Sequence, residues 1–255
     1  MHEKRNTKSI QFIVLSVMML MLLATTVVNA GEVLEHGKFR YRVIDNKVEI
    51  CGYEELSKPE VLKTLIIPSK IDGKKVVRVK KAAINYNNVV PDNIVCSDYM
   101  STVDLMSFGE SAPGWKGLAI TLGKYTKRFI NYGAYEENLT ETRKFKVPKD
   151  AKYLKVTKNG GLYSKDGKIL YAVPTKKTGK FTISKRTKHI YKYALYGSYL
   201  KKLIIPKGIK KIGKGGINIL GGENGKKSIV LVPHNEIKKY KKIYKKDFTI
   251  ELKGY

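Results

Sequence analysis

Apolar positions recur along this chain at spacings that fit neither a helix nor a simple strand. In "LKKLIIPKGIKKIGKGGINI", Leu200 to Ile219, Ile205 is followed seven residues later by Ile212. Small Gly216 comes four after that, and Ile217 next. The same offsets return at Ile183, Ile190, Ala194 and Leu195, and at Leu122, Phe129, Gly133 and Ala134. A disguised copy is Cys96, Val103, Ser107 and Phe108. In the first copy five residues are inserted between Ile67 and Val79, and Ala83 and Ile84 then fall in register.

A short strand such as "LII" alternates, with Leu203 and Ile205 inward and Ile204 outward. Proline at 68 or 206 ends it, because proline cannot continue a sheet ladder. A second apolar residue then returns to the core, and the small residue lets the backbone pass close to the next coil. One coil cannot bury its apolar edge alone, whereas stacked coils share a continuous core. The predicted fold is therefore a β-rich solenoid.

Seven rungs follow: Leu65–Ile67, Ile94–Cys96, Ile120–Leu122, Phe145–Val147, Phe181–Ile183, Leu203–Ile205 and Val230–Val232. The longest interval, 36 residues, lies between Val147 and Ile183. It contains "GLYSKDGKILYAVP", whose Asp166-Gly167 predicts a β-hairpin bulging from the stack at about 160–174. "FRYRVIDNKVEICGY" alternates about Asp45-Asn46 and predicts a hairpin cap over residues 31–61. The solenoid is expected over 62–227. A C-terminal cap over 228–255 begins a helix at Pro233 or Asn235, with Ile237, Tyr240 and Tyr244 on one face and Ile243 beside them. "FTIEL" closes it as a strand. At an inward position, Cys96 is expected to be a buried, inert thiol rather than a partner of Cys51.

"VEICGYEELSKPEVLKTLIIPSKIDGKKVVRVKKAAI", "GGLYSKDGKILYAVP", "LKKLIIPKGIKKIG" and "IVLVPHNEIKKYKKIYKK" resemble the BspA-type leucine-rich repeat family over most of residues 38–250. The resemblance implies a leucine-rich repeat solenoid. It also implies a secreted or surface bacterial protein that binds other molecules, often host or matrix components. The family shares no catalytic residues, so none are transferred, and no ligand carries over. The usual Ile-Gly is here Val79-Lys80, Phe129-Ile130 and Ile190-Tyr191, and the usual Ala-Phe is Gly133-Ala134 and Gly216-Ile217. Residues 85–117 hold the pattern only faintly.

The first thirty residues are of another kind. Lys4, Arg5 and Lys8 precede an apolar run from Phe12 to Ala24, and small Val28 and Ala30 precede Gly31. This predicts a secretory signal peptide cleaved near Ala30/Gly31, with an uncleaved anchor as the weaker alternative. No other stretch is long enough to predict a transmembrane anchor in the mature chain. The expected location is extracellular or envelope-associated.

Charge then changes the picture. The chain carries a formal net charge of +28, and residues 121–255 hold 34 Lys/Arg against 9 Asp/Glu. So one-sided a density attracts polyanions over a Debye length of ~8 Å. Nucleic acid fits the charge but not the export signal, although extracellular DNA is a possible polyanion.

Candidate chemistry is sparse. "GGENGKKS" lacks the first glycine of a phosphate loop and has Lys227 where Ser or Thr belongs, so a turn is expected. "GESAP", Gly109 to Pro113, falls one glycine short of a nucleophile elbow. His36, His189 and His234 have no metal-ligand spacing, and His189 reads as an exposed basic residue. Glu136, Glu137 and Glu141 cluster where solvation explains them. No enzyme and no cofactor are expected.

In this register the outward middle position of each rung forms a ladder: Ile66, Val95, Thr121, Lys146, Thr182, Ile204 and Leu231. Beside it runs Thr64, Asn93, Ala119, Lys144, Lys180, Lys202 and Ile229. Such a face is expected to bind an extracellular protein or anionic polymer (host matrix, glycan or the cell's own wall), with lysines toward its C-terminal rungs. Tyr191 and Tyr193 lie among lysines and are candidates for stacking on a ligand, whereas Tyr240 and Tyr244 are expected to pack between coils. The alternative is a structural envelope protein held by charge on wall polymer or lipid.

Overall fold

A computed structural model describes residues 31–55, 58–85, 89–109, 117–131, 141–219, 227–244 and 249–255. The expected signal peptide, "GESAP" after Gly109, the 220–226 turn, Gly133, Ala134, Glu136 and Glu137 lie outside these residues. Val33 to Tyr255 form one compact unit.

The unit opens with an antiparallel meander, β1 (Leu34–His36), β2 (Phe39–Ile44) and β3 (Lys47–Tyr53). Asp45 and Asn46 join β2 to β3 at φ of 48° and 56°. Two positive φ values make the turn whose twist matches a hairpin, and Asp-Asn tolerates them. The first coil is β4 (Glu60–Ile66), β5 (Lys70–Ile71) and β6 (Lys74–Val79). Its five extra residues form a small β5–β6 hairpin that buries Ile71. β3 pairs parallel with β6, so the N-terminal hairpin continues the second strand of the first coil.

The following coils repeat one plan: a ladder strand, a turn, then a short second strand. They are β7 (Val89–Val95) with β8 (Thr102–Asp104), β9 (Leu118–Thr121) with β10 (Arg128–Ile130), and β11 (Thr142–Lys146). After β11 come β12 (Leu154–Val156), β13 (Leu162–Ser164) and β14 (Ile169–Ala172), then β15 (Thr178–Thr182) with β16 (His189–Ile190), and β17 (Tyr199–Ile204) with β18 (Lys211–Ile212). β19 (Ser228–Val232) follows. A 3-10 turn at His234–Glu236 leads into α1 (Ile237–Ile243), and β20 (Ile250–Gly254) closes the unit.

The ladder strands pair parallel, as stacked coils of one chain require, and the inward residues are buried. Leu65, Ile94, Ile120, Phe145, Phe181, Leu203 and Val230 are all at most 4 % exposed. The small positions also bind: Ser107 Oγ donates to the Val79 carbonyl at 2.8 Å. Ser97 Oγ donates to Val76 O at 2.6 Å and Thr126 Oγ1 to Met100 O at 2.9 Å. Each hydroxyl satisfies a buried carbonyl of the preceding coil, which explains why polar residues sit in the core at almost no exposure.

Three expectations need correction. The ladder is not one sheet of seven strands. It is two parallel sheets of four, β4-β7-β9-β11 and β15-β17-β19-β20. The break falls at the long interval, where residues 148–177 separate β11 from β15. Second, the hairpin there does not bulge out: β13 and β14 pair antiparallel, β14 pairs parallel with β16, and Leu170 is fully buried opposite Ile190. Burying Leu162, Tyr163 and Leu170 outweighs leaving them in a projecting hairpin. Third, the closing strand β20 does not end in the cap alone: it adds a further parallel strand to β19, which is the expected seventh rung.

In the cap, Tyr240 is fully buried and Tyr244 donates from its hydroxyl to Ile217 O at 2.8 Å. Ile243 instead faces solvent at 42 % exposure, since it lies a third of a turn off that stripe. Cys96 is buried and unpaired, and Cys51 is half-buried and unpaired.

Candidate binding surfaces

Backbone pairing places the outward residues in columns. In the first sheet Ile66, Val95, Thr121 and Lys146 are successive partners, as are Thr64, Asn93, Ala119 and Lys144. In the second, Thr182, Ile204, Leu231 and Lys253 are partners, beside Lys180, Lys202, Ile229 and Glu251. Lys146 and Thr182 are not paired, and neither are Lys144 and Lys180, because the ladder breaks between them.

The lysines therefore flank the break instead of accumulating toward the C-terminal end. That end carries apolar Ile229 and Leu231 and then Glu251, whose carboxylate pairs with Lys253 at 3.0 Å. The N-terminal end is apolar and open: Ile66 is 62 % exposed and Val61 83 %.

The ladder reading missed Arg143. The register shifts between Thr142 and Lys144, leaving Arg143 as an extra residue on β11. Its Nε donates to Gly117 O at 3.0 Å, and its Nη2 donates to Asp92 O at 2.9 Å and Asn93 Oδ1 at 3.2 Å. The guanidinium thus spans two neighbouring strands, and Ala119, expected outward, is only 2 % exposed. The signal was present in the sequence. "TRKF" places two polar residues between inward ones where strict alternation allows one, and "LKKL" at 200–203 does the same around a second register shift.

Tyr191 and Tyr193 are not brought to this face. Tyr191 follows β16, half-buried against both core clusters, with its ring 5.3 Å from Tyr171 and 5.8 Å from His189. Tyr193 has φ of 55°, and its ring lies over Gly215, where any side chain would collide with it. Tyr196 meets it edge-on at 6.0 Å.

His189 is not an exposed residue either. It lies half-buried in β16, and burial followed by the Lys211 charge pushes its pKa below the ordinary histidine value. Burial raises the Cys96 thiol to about 12, so it carries almost no thiolate at neutral pH. Among the described residues no three His, Cys, Asp or Glu gather as a metal would require. No helix among them is long and apolar enough to cross a membrane.

The turn between ladder and second strand forms another surface. At its N-terminal end Tyr99 and Tyr125 stack at 5.7 Å, with Lys75 over one ring and Lys152 over the other at 4.8 and 5.1 Å. Beside them Lys47, Arg78, Lys81, Tyr99, Thr102 and Asp104 line an open groove of about 550 Å³. Arg78 is engaged there by Glu49 at 3.0 Å.

No protein-family model matches the chain, and no curated protein matches it. Among solved structures it is similar to a leucine-rich repeat protein from Eubacterium ventriosum. That match has 16% identity and a TM-score of 0.41, covering 88% of this chain and 68% of that one. It is similar to a leucine-rich cell surface protein from Faecalibacterium prausnitzii at 12% identity and a TM-score of 0.37, covering 73% and 74%. A third is the pneumococcal vaccine antigen PcpA, at 17% identity and a TM-score of 0.28, covering 74% and 70%. Likeness at this level says nothing of a ligand. The repeated burial pattern and parallel pairing of its own residues make the chain a β-solenoid.

Proposed function

We propose that this is a bacterial surface protein that binds through its ladder face, without enzymatic activity, to an extracellular protein or anionic polymer. The observation that carries the reading is the pairing register. It sets Lys144 and Lys146 at one side of the ladder break and Lys180 and Lys202 at the other, with uncharged Ile66, Val95 and Thr121 and with Thr182 and Ile204 completing the columns. Lysines grouped at the centre of the face, with the Glu251–Lys253 pair at its far end, would orient an acidic segment across it.

The test is binding of the chain to a panel of matrix proteins and polyanions at low and high salt. Charge reversal of Lys144, Lys180 and Lys202 is then compared with the unaltered chain. Loss of a salt-resistant partner on reversal supports the face; unchanged binding sinks it.

A second observation favours electrostatic retention on the envelope. From Gly167 to Gly222 the sequence has fourteen Lys/Arg and no Asp or Glu. The structure distributes these over the ladder, the turns and the second strands alike. Binding to every polyanion that vanishes at high salt would support that reading.

A further inference from the structure

The turns that lead into β14, β16 and β18 stack directly on one another in the lysine-rich coils. Lys188 N donates to Lys168 O at 2.8 Å, and Lys210 N donates to Lys188 O at 2.8 Å. These bonds fix Lys168, Lys188 and Lys210 in one column, and all three side chains are exposed. Successive coils rise by about 4.8 Å, so the column supplies a cation at that interval.

Two glycines make room for further charge. Gly167 and Gly208 lie in the first and third of these turns at φ of 78° and 84°. The Lys155 ammonium lies 3.1 Å from where a Gly167 side chain would start, with Arg186 Cβ at 3.7 Å. The Lys188 ammonium lies 3.3 Å from the equivalent point at Gly208. Cations from the neighbouring coil thus lean over bare backbone along the ridge.

Among the described residues, carboxylates stand only at its ends. Asp166 reaches Lys168 at 3.5 Å, and Glu236 Oε1 accepts from Gly208 N at 3.1 Å. Between them Arg186, Lys188 and Lys210 have no carboxylate partner among the described residues.

We infer that this ridge, from Gly167 to Lys210, is a second binding site, for a linear polymer that carries a phosphodiester charge on every repeat. It rests on the envelope-retention reading and is independent of the ladder face. Three features select this chemistry. The cations are mainly lysines, compact point charges that can each meet a single phosphate oxygen. They come once per coil in single file, which suits a chain charged at every unit rather than at alternate sugars. The turns at 165–168, 184–188 and 206–210 contain no aromatic ring, so nucleobases have no stacking platform there.

The test uses fluorescently labelled poly(glycerol phosphate), a linear phosphodiester polymer, titrated by anisotropy with the full chain at two salt concentrations. The ridge triple Arg186→Gln, Lys188→Gln, Lys210→Gln is compared with a distal triple, Lys58→Gln, Lys70→Gln, Lys80→Gln, whose exposed side chains lie at the first coil, outside both proposed sites, and which removes the same charge. The ridge triple should lose at least about tenfold in affinity and flatten the salt slope by roughly 2, as three lost phosphate contacts require. The distal triple should stay within about threefold, the remainder being long-range charge. Lys188→Gln alone should lose about twofold or more, and it tests the site even if the triple fails to fold.

Equal losses in the two triples would overturn the ridge while leaving envelope retention standing. Tighter binding of a sulfated glycan of matched charge would overturn the phosphodiester assignment. No binding by the unaltered chain would remove both readings.

Discussion

Thr142 and Thr175 bind one another reciprocally: Thr142 N donates to Thr175 Oγ1 at 2.8 Å, and Thr175 N donates to Thr142 Oγ1 at 3.1 Å. The Thr175 hydroxyl also donates to Thr142 O at 3.1 Å. Both residues are buried, and they stand where the ladder breaks, tying the first strand before the gap to the segment that leads into β15. Where sheet pairing stops, side chains satisfy the backbone instead. Thr175→Val removes an acceptor and a donor together and should cost about 1–3 kcal/mol, read from the urea midpoint. Thr142→Val should not add to it fully, since the two side chains form one network.

Gly216 tests the close approach of coils. A side chain there would begin 2.6 Å from Tyr191 O and 3.0 Å from Gly213 O, both fixed backbone atoms. The equivalent Ala194 and Ala83 are accommodated in their own coils. Gly216→Ala should therefore destabilise by about 1–3 kcal/mol through overpacking, whereas Ala194→Gly should cost about 1 kcal/mol or less. Equal effects in thermal unfolding would refute the steric account.

The Cys96 thiol combines 4 % exposure with a pKa raised to about 12 by burial. In the folded chain it should resist iodoacetamide at pH 8, while the half-buried Cys51 reacts faster. Both should label in urea. Rapid native labelling of Cys96, located by peptide mass spectrometry, would contradict its inward position.

His189 makes stability depend on pH with a definite sign. Its folded pKa lies below the unfolded value of about 6.5, through burial and then the Lys211 charge, so the unfolded chain takes up the proton first. Its contribution is complete above that value and is lost as pH falls through the folded pKa. Tyr191 and Lys211 are the groups that face it. His189→Gln should flatten that limb of the stability curve, followed by denaturant midpoint between pH 7 and pH 5.

The candidate surface was legible in part. Column membership of Lys144, Lys146, Lys180 and Lys202 follows from the period of two once the inward residues are known, and backbone pairing bears out every neighbouring pair within each sheet. The reach of Arg143 to Gly117, Asp92 and Asn93 was not, because a bulge shows only as two adjacent polar residues and does not say where the extra side chain will go. Tyr191 could not be placed either: its lysine neighbours are near in sequence, while Tyr171 comes from another coil.

By itself the sequence determined the solenoid. Its repeat of inward strand, proline or glycine turn, apolar return and small residue admits one way of burying the apolar edge, since each coil must be covered by the next. Cap hairpin and cap helix were equally local, set by the Asp45-Asn46 turn and the spacing of Ile237, Tyr240 and Tyr244. Tertiary structure alone decided that the ladder divides at residues 148–177 and that β14 pairs beside β16 in the sheet of second strands. It also decided that β20 extends the ladder and that lysines spread over three sequence segments align on one ridge. These depend on which distant strand a backbone N–H finds as its partner. Periodicity says which way a side chain points, but not which neighbour it meets.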